Sequence, residues 1–149
     1  MKTKVLNSEI RVSFLDIDTD KLSKIPFYEQ TVQAGFPSPA DDFLDLDINL
    51  QDYLIKHPSA TFCVRVNGSS MEKANIYSGD VMIVDKSLSP QNNSIVLAVI
   101  DSEFTVKRIK KNGDKLYLIP ENESFNPIEI TEDMNFNVWG VVTHVIHEL

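Results

Sequence analysis

Residues 94–119, SIVLAVIDSEFTVKRIKKNGDKLYLI, carry the clearest evidence for the fold class of the chain. It contains three short runs rich in apolar and β-branched residues, at 94–100, 104–109 and 115–119. Such runs are typical of β-strands when turn residues separate them. The dipeptide Asn112-Gly113, between the second and third runs, is typical of a tight hairpin turn. The stretch therefore predicts consecutive antiparallel strands.

Three more strands are predicted outside this stretch, at 61–66, 81–85 and 137–146. One short amphipathic helix is predicted before them, with Asp47 or Asn49 as its N-cap and Pro58 beyond its end. Its apolar residues are Ile48, Leu50, Tyr53, Leu54 and Ile55. No internal repeat and no helix-turn-helix pattern is recognisable. We predict a mostly antiparallel β domain with one short helix.

The N-terminal part differs in charge from the rest of the chain. Residues 1–34 carry five basic and five acidic side chains, whereas residues 35–149 carry nine basic and 17 acidic ones. Val12, Phe14, Leu15 and Ile17 suit one strand, but residues 21–33 show no clear period. Gly35-Phe36-Pro37-Ser38-Pro39 disfavours helix and indicates an exposed joint. We predict an extended arm, 1–34, followed by one domain, 35–149.

Composition excludes several classes of protein. The chain has 149 residues and a formal charge of −8, so its surface as a whole repels phosphate backbones. One cysteine, Cys63, and three histidines, His57, His144 and His147, offer no cluster typical of structural zinc, and Cys63 suits packing. Neither a signal peptide nor a membrane span is recognisable. We expect a cytoplasmic protein without metal or cofactor.

Two features suggest chemistry when they are taken together. Gly68-Ser69-Ser70-Met71 follows a predicted strand and can expose a hydroxyl, although such sequences are also common in plain turns. Strand alternation places Lys107 on the same face as Thr105 and Ile109. A lysine held among apolar neighbours favours its neutral amine, which can activate a serine without histidine. The alternative is that Lys107 belongs to an exposed basic run with Arg108, Lys110 and Lys111.

The order of several motifs resembles that of the LexA-like self-cleaving serine peptidases, in particular their UmuD-type members. The resemblance extends from about Ala34 to Ile146, and Lys107 follows Ser70 by 37 residues. It rests on Ala34-Gly35 with Phe36-Pro37-Ser38-Pro39-Ala40, His57-Pro58-Ser59-Ala60-Thr61, Gly68-Ser69-Ser70-Met71, Ser78-Gly79-Asp80, Glu103-Phe104-Thr105-Val106-Lys107 and Gly140-Val141-Val142-Thr143-His144-Val145. The shared order makes a coincidence improbable.

The resemblance implies a fold and a reaction. The fold is the LexA-like C-terminal peptidase fold, and the reaction is cleavage of the chain by itself between Ala34 and Gly35. Ser70 matches the family nucleophile, whereas Ser69 does not directly precede Met71 as the motif requires. Lys107 matches the general base, which then serves as the acid. Backbone N–H groups of Ser70 and Met71 are the candidates for the oxyanion site.

The resemblance also implies partners. UmuD-type proteins form homodimers, and a filament of RecA on single-stranded DNA stimulates their cleavage as a co-protease. The processed dimer joins a UmuC-type catalytic subunit to form a translesion DNA polymerase in the SOS response. The chain itself is then not expected to bind DNA sequence-specifically or to bind membranes. Removal of the arm yields the active species.

Two alternatives remain open at this stage. The first is a regulatory module that binds a polymerase and is not processed. The second is a relative of the LexA transcriptional repressors, although no N-terminal DNA-binding domain is visible. The arm differs from the UmuD pattern, and Glu72-Lys73-Ala74-Asn75 stands where the family often has glycine. His57 is predicted near a helix end, and Trp139 in the core or on a dimer surface.

Overall fold

A computed structural model describes residues 11–15, 24–27 and 46–149. These residues contain ten β-strands, one α-helix and two 3₁₀ turns, Pro58–Ala60 and Glu72–Ala74. The elements are β1 Arg11–Leu15, β2 Lys24–Phe27, β3 Leu46–Asn49, α1 Leu50–Leu54, β4 Thr61–Asn67, β5 Val81–Asp85, β6 Ile95–Ile100, β7 Glu103–Asn112, β8 Lys115–Ile119, β9 Ile128–Ile130 and β10 Phe136–Ile146. The prediction of a mostly antiparallel β fold with one short helix is confirmed.

Eight strands form one antiparallel sheet in the order β1-β4-β5-β10-β6-β7-β8-β9. Strands β6 and β7 are joined by Asp101 and Ser102, both at positive φ (48° and 72°). This conformation gives a tight hairpin whose twist matches that of the sheet. In the next hairpin Asn112 pairs with Lys115, so the turn residues are Gly113 and Asp114 rather than Asn112-Gly113. Gly113 has φ 61°, which glycine adopts without steric cost.

The described part of the chain divides into two compact units, and the second contains β2, β3 and α1. Strands β2 and β3 pair antiparallel as a separate two-stranded sheet. The helix is shorter than predicted, because Ile48 pairs with Ile25 in this sheet. Of the two predicted N-caps, Asn49 is the one used, since its Oδ1 accepts from the N–H groups of Gln51 and Asp52 at 3.0 and 3.3 Å.

The large sheet buries apolar residues on both faces. One cluster consists of Val64, Val66, Met71, Ile76, Met82, Val84, Leu97 and Val106, and Trp139 packs against it. A second cluster consists of Val96, Ala98, Ile109 and Leu118. Val96 and Leu97 are neighbours in β6 but lie in different clusters, as the alternation of side chains in a strand requires. No helix in the described part of the chain is long and apolar enough to cross a membrane.

Strand β10 approaches β5 closely at Gly140, where its register with β6 shifts. A Cβ atom at Gly140 would lie 2.7 Å from Cγ1 of Val84 and 2.9 Å from the carbonyl oxygen of Asp85. Only glycine leaves room for the neighbouring backbone at this distance. The close contact fixes β10 in the middle of the sheet, between β5 and β6.

Two buried carboxylates form hydrogen bonds with histidines that are distant in sequence. Asp80 accepts from the N–H of Tyr77, and His147 Nδ1 lies 2.6 Å from its Oδ1. Asp85 accepts from the N–H and hydroxyl of Ser87, and His57 Nδ1 lies 2.6 Å from its Oδ2. Burial alone would raise the pKa of Asp85, but the hydrogen bonds of Ser87 and His57 together hold that pKa below its usual value.

Replacement of Asp85 by asparagine should destabilise the protein in a pH-dependent way. Because the pKa of Asp85 is lowered by folding, its stabilisation is complete above the unfolded value of about 3.9 and is lost as the pH falls through the folded value. Asp85→Asn should lower the free energy of unfolding by about 1–3 kcal/mol at pH 7, and the difference from the parent chain should narrow below about pH 4. Urea unfolding between pH 7 and pH 3 measures the free energy of unfolding of the variant and of the parent chain. Glu132→Gln, which removes an exposed carboxylate, is the control. A deficit that does not change with pH would contradict the assignment.

Candidate active site

The turn after β4 carries Ser70 into the interior. Strand β4 ends at Asn67, and Gly68 follows with φ 136°, a conformation that side chains rarely allow. The 3₁₀ turn Glu72–Ala74 then begins directly after Met71. Ser70 and Met71 have no exposed surface, and Met71 belongs to the first apolar cluster. The packing of Met71 therefore fixes the backbone beside the Ser70 hydroxyl.

Lys107 reaches this hydroxyl from β7. It pairs with Val96 of β6 and has no exposed surface, whereas Lys110 and Lys111 further along the strand are exposed. Its Nζ donates to Ser70 Oγ at 3.2 Å and to Thr105 Oγ1 at 2.7 Å. Thr105 and Lys107 lie on the same strand face, as the alternation predicted. The structure thus brings together the serine and the lysine that the motifs single out, and it adds Thr105.

A loop after β8 holds the Ser70 turn from another side. The N–H of Glu121 donates to the Ser70 carbonyl at 2.8 Å, and Asn122 Nδ2 donates to the Ser69 carbonyl at 2.8 Å. The N–H of Lys73 donates to the Glu121 carbonyl at 2.8 Å. The Glu121 carboxylate forms an ion pair with Arg108, the residue after Lys107. We call these hydrogen bonds the turn clasp, which joins Glu121 and Asn122 to Ser69, Ser70 and Lys73.

Neither Thr105 as a partner of Lys107 nor the turn clasp was predicted from the sequence. The alternation placed Thr105 on the same face as Lys107, and this was the available signal. No sequence pattern pointed to Asn122, because a residue that follows Pro120-Glu121 is typical of a turn without any specific role. Its role depends on a contact with Ser69, 53 residues earlier in the chain. Spacing along the chain does not reveal such a contact.

The other candidate residues lie as follows. Ala34 and Gly35 are outside the described residues, so the cleavage site stays a prediction. Burial raises the pKa of the Cys63 thiol, which suits a packing residue. His144 Nδ1 lies 3.0 Å from Thr143 Oγ1, and His147 binds Asp80 instead. Among the described residues, no group of three or more histidine, cysteine or acidic side chains is arranged to hold a metal ion.

Comparison with known proteins identifies the family. The profile described as Peptidase S24-like matches residues 26–143. The chain belongs to this family. It is 46% identical over 129 residues to Protein MucA of Salmonella typhimurium, a match that covers 86% of this chain and 88% of that protein. Protein SamA of Salmonella typhimurium strain LT2 is 40% identical over 126 residues (85% and 87% covered), and Protein ImpA of Shigella flexneri is 39% identical over 128 residues (82% and 83%).

The resemblance to the UmuD-type serine peptidases is therefore confirmed. The chain is a UmuD-like S24 serine peptidase, of the class of SOS mutagenesis accessory proteins. The similarity to these relatives covers most of each chain, so it concerns the whole protein rather than one motif. The buried serine and lysine lie within the matched segment.

Thr105 should position the Lys107 amine for catalysis. Thr105→Val keeps the shape of the side chain but removes the oxygen that accepts a hydrogen bond from Lys107 Nζ. Self-cleavage should slow about tenfold, which is the effect on the rate of losing the free energy of one hydrogen bond. Because a hydrogen-bond acceptor favours the ammonium form, its loss should also move the midpoint of the pH–rate profile to lower pH. Thr105→Ser should restore both. A slower rate with an unchanged midpoint would indicate only a structural role.

Asn122 should hold the Ser70 turn in its reactive geometry. Asn122→Ala and Asn122→Asp both lose the N–H donor to the Ser69 carbonyl, and self-cleavage should fall about ten- to hundredfold in each because the Ser70 hydroxyl is displaced. Intact-mass spectrometry over time measures the rate, well below the melting temperature of each variant. Glu123→Gln is the matched control, since it weakens only the exposed Lys73–Glu123 ion pair of the same loop. Equal rates in all three variants would contradict a role for the clasp.

Proposed function

We propose that the chain cleaves itself between Ala34 and Gly35, with Ser70 as the nucleophile and Lys107 as the general base. The observation that carries the proposal is the 3.2 Å separation of Ser70 Oγ and Lys107 Nζ, both on side chains without exposed surface. At this distance a proton passes directly between the two atoms. The division into an arm, 1–34, and a domain, 35–149, is part of the proposal.

Burial prepares the lysine for its role, because a low-dielectric environment disfavours the ammonium form. Neutral Lys107 takes the proton of Ser70, and Oγ attacks the carbonyl carbon of Ala34. Backbone N–H groups of Ser70 and Met71 stabilise the negative charge on the carbonyl oxygen. The bond to Gly35 breaks as the Lys107 ammonium protonates the leaving amine. Water then hydrolyses the ester between Ala34 and Ser70.

The burial of Ser70 favours a substrate that belongs to the same molecule or dimer. Ser70 has no exposed surface, so a peptide has to be held at the site before its carbonyl can reach the hydroxyl. A tethered segment avoids most of the entropy cost of bringing two molecules together, so even modest activation of the serine supports cleavage. We propose that a RecA filament on single-stranded DNA stimulates the reaction by favouring the docked state of the arm.

The processed chain, 35–149, is the proposed accessory subunit of a UmuC-type translesion polymerase. It carries nine basic and 17 acidic side chains, so contact with DNA is best made through the polymerase. We propose a cytoplasmic homodimer, which agrees with a single cysteine outside any disulfide. The proposed reaction uses protein side chains throughout and calls for no cofactor.

Self-cleavage should require both proposed catalytic side chains and should accelerate with pH. The rate should rise as Lys107 loses its proton and level off once the amine is neutral. Ser70→Ala and Lys107→Ala should each reduce cleavage by at least about a thousandfold. Intact-mass spectrometry at neutral and alkaline pH, with and without a RecA filament, identifies the products 1–34 and 35–149.

The exposed Lys110→Ala serves as the control, because it changes the charge of the same strand without reaching Ser70. Its cleavage rate should equal that of the parent chain. Cleavage at another bond would refute the Ala34–Gly35 assignment. No cleavage under any of these conditions would favour a regulatory module that is not processed.

A further inference from the structure

Strand β1 covers one edge of the large sheet. It is the outermost strand in the order, and its neighbour is β4. The two strands pair antiparallel over five residues, from Arg11 opposite Asn67 to Leu15 opposite Cys63. Strand β1 also lies within 1–34, the segment that the proposed cleavage releases. The reaction would therefore detach the outer strand of the sheet from the domain that stays behind.

The backbone of β4 shows which groups β1 covers. The N–H of Val66 donates to the Asp80 carbonyl at 2.9 Å, and the Val66 carbonyl accepts from the N–H of Gly79 at 2.7 Å. The Ala60 carbonyl accepts from the N–H of Lys86 on the same side.

Because backbone groups of a strand alternate in direction, the N–H and C=O groups of Cys63, Arg65 and Asn67 face β1. Loss of β1 leaves these groups without their strand partner.

We propose that the β4 edge is a docking site for an extended segment of the polymerase partner, and that β1 blocks this site until the chain is cut. The inference rests on the proposed self-cleavage and names the surface that it activates. An uncovered edge with aligned backbone donors and acceptors accepts another strand by main-chain hydrogen bonding. The partner segment takes the place of β1 in the antiparallel register.

The register of β1 with β4 predicts which side chains the docking segment carries. Positions opposite Val64 and Val66 call for apolar residues, because these two valines have 0% and 1% exposure and belong to the first apolar cluster. Val12 and Phe14 occupy those positions in β1. The position between them lies opposite Arg65, which is exposed, so a hydroxyl or acidic residue suits it. The occupant is thus a short strand of alternating apolar and polar residues.

A polymerase segment fits this edge better than a second copy of the chain does. In the full-length chain β1 already occupies the edge, so a dimer formed before cleavage has to use another surface. Tethering gives β1 a high effective concentration at β4, and the cut removes this advantage. A partner strand of ordinary affinity then displaces the released arm. The edge therefore distinguishes cut from uncut protein.

The first experiment tests the coverage of the edge without any cleavage. Hydrogen exchange by NMR is measured on full-length Ser70→Ala and on Ser70→Ala with Ser13→Pro, which removes the N–H opposite Arg65. The amides of Cys63, Arg65 and Asn67 should exchange at least about tenfold faster in the proline variant, whereas those of Val64 and Val66 stay protected. Ser13→Ala keeps the N–H and should match the parent. Unchanged exchange at the three amides would overturn the assignment of β1 as a cover.

The second experiment tests the occupant. Full-length Ser70→Ala with Ser13→Pro should bind a purified UmuC-type polymerase subunit at least about tenfold more tightly than Ser70→Ala alone, because its edge is open without a cut. A synthetic peptide of residues 9–17 should compete with the polymerase. The same peptide N-methylated at Ser13 should fail, whereas N-methylation at Phe14, whose N–H points away from β4, should be tolerated.

The outcomes separate this inference from the proposed function. Both experiments use chains in which Ser70 is replaced, so their results do not depend on whether the wild-type chain cleaves itself. Intact-mass spectrometry of the wild-type chain tests self-cleavage separately. Equal polymerase binding by the two variants, or binding that the 9–17 peptide does not reduce, would overturn the docking site. Larger oligomers of the proline variant in the absence of polymerase would assign the edge to a second copy and overturn the polymerase as occupant.

Discussion

An amine without exposed surface, 3.2 Å from a serine hydroxyl, is the constraint on which this structure depends. A lysine in the interior is costly unless polar groups accept its protons or it becomes neutral. Ser70 and Thr105 supply the acceptors, and the register of β6 and β7 places Lys107 opposite Val96, inside the sheet. In the proposed mechanism, the burial that makes Lys107 costly to place also favours the neutral amine that would act as the base. Stability and reactivity are therefore set by one environment.

The Ser70 turn needs support from distant parts of the chain because it is neither helix nor strand. Met71 anchors it in the apolar cluster, and Asn122 and Glu121 hold its carbonyl groups. The Glu121–Arg108 ion pair connects this support to the strand that carries Lys107. Ser70 and Lys107, the proposed nucleophile and base, are thus held by one connected set of contacts. Side chains held in this way lose little entropy when the reaction begins, which is the condition for preorganised catalysis.

The sequence predicted the parts of the molecule that follow from local patterns. Seven strands, β1 among them, the shared strand face of Thr105 and Lys107, and the serine-lysine pair could be predicted, because apolar periodicity and a family motif specify them. Strand β9 was missed, since three residues with one acidic member carry little signal. The pairing of β2 with β3 shortened the predicted helix at Ile48. The His57–Asp85 pair and the Asn122 contact join residues far apart in sequence, and no local pattern specifies such contacts.

The arm is the proposed substrate of Ser70 and also supplies β1, the outer strand of the sheet, and self-cleavage would end both roles. As substrate, it would bring Ala34 to the buried hydroxyl of Ser70. As strand β1, it pairs with β4 and satisfies the backbone groups of Cys63, Arg65 and Asn67. Neither relation needs strong contacts while the chain is continuous, because tethering keeps the arm concentrated at the domain. The proposed cleavage would turn both into encounters between separate molecules, so a partner strand would compete with β1 on equal terms. A single broken peptide bond would then control assembly, and the release of β1 would be the proposed change in the sheet.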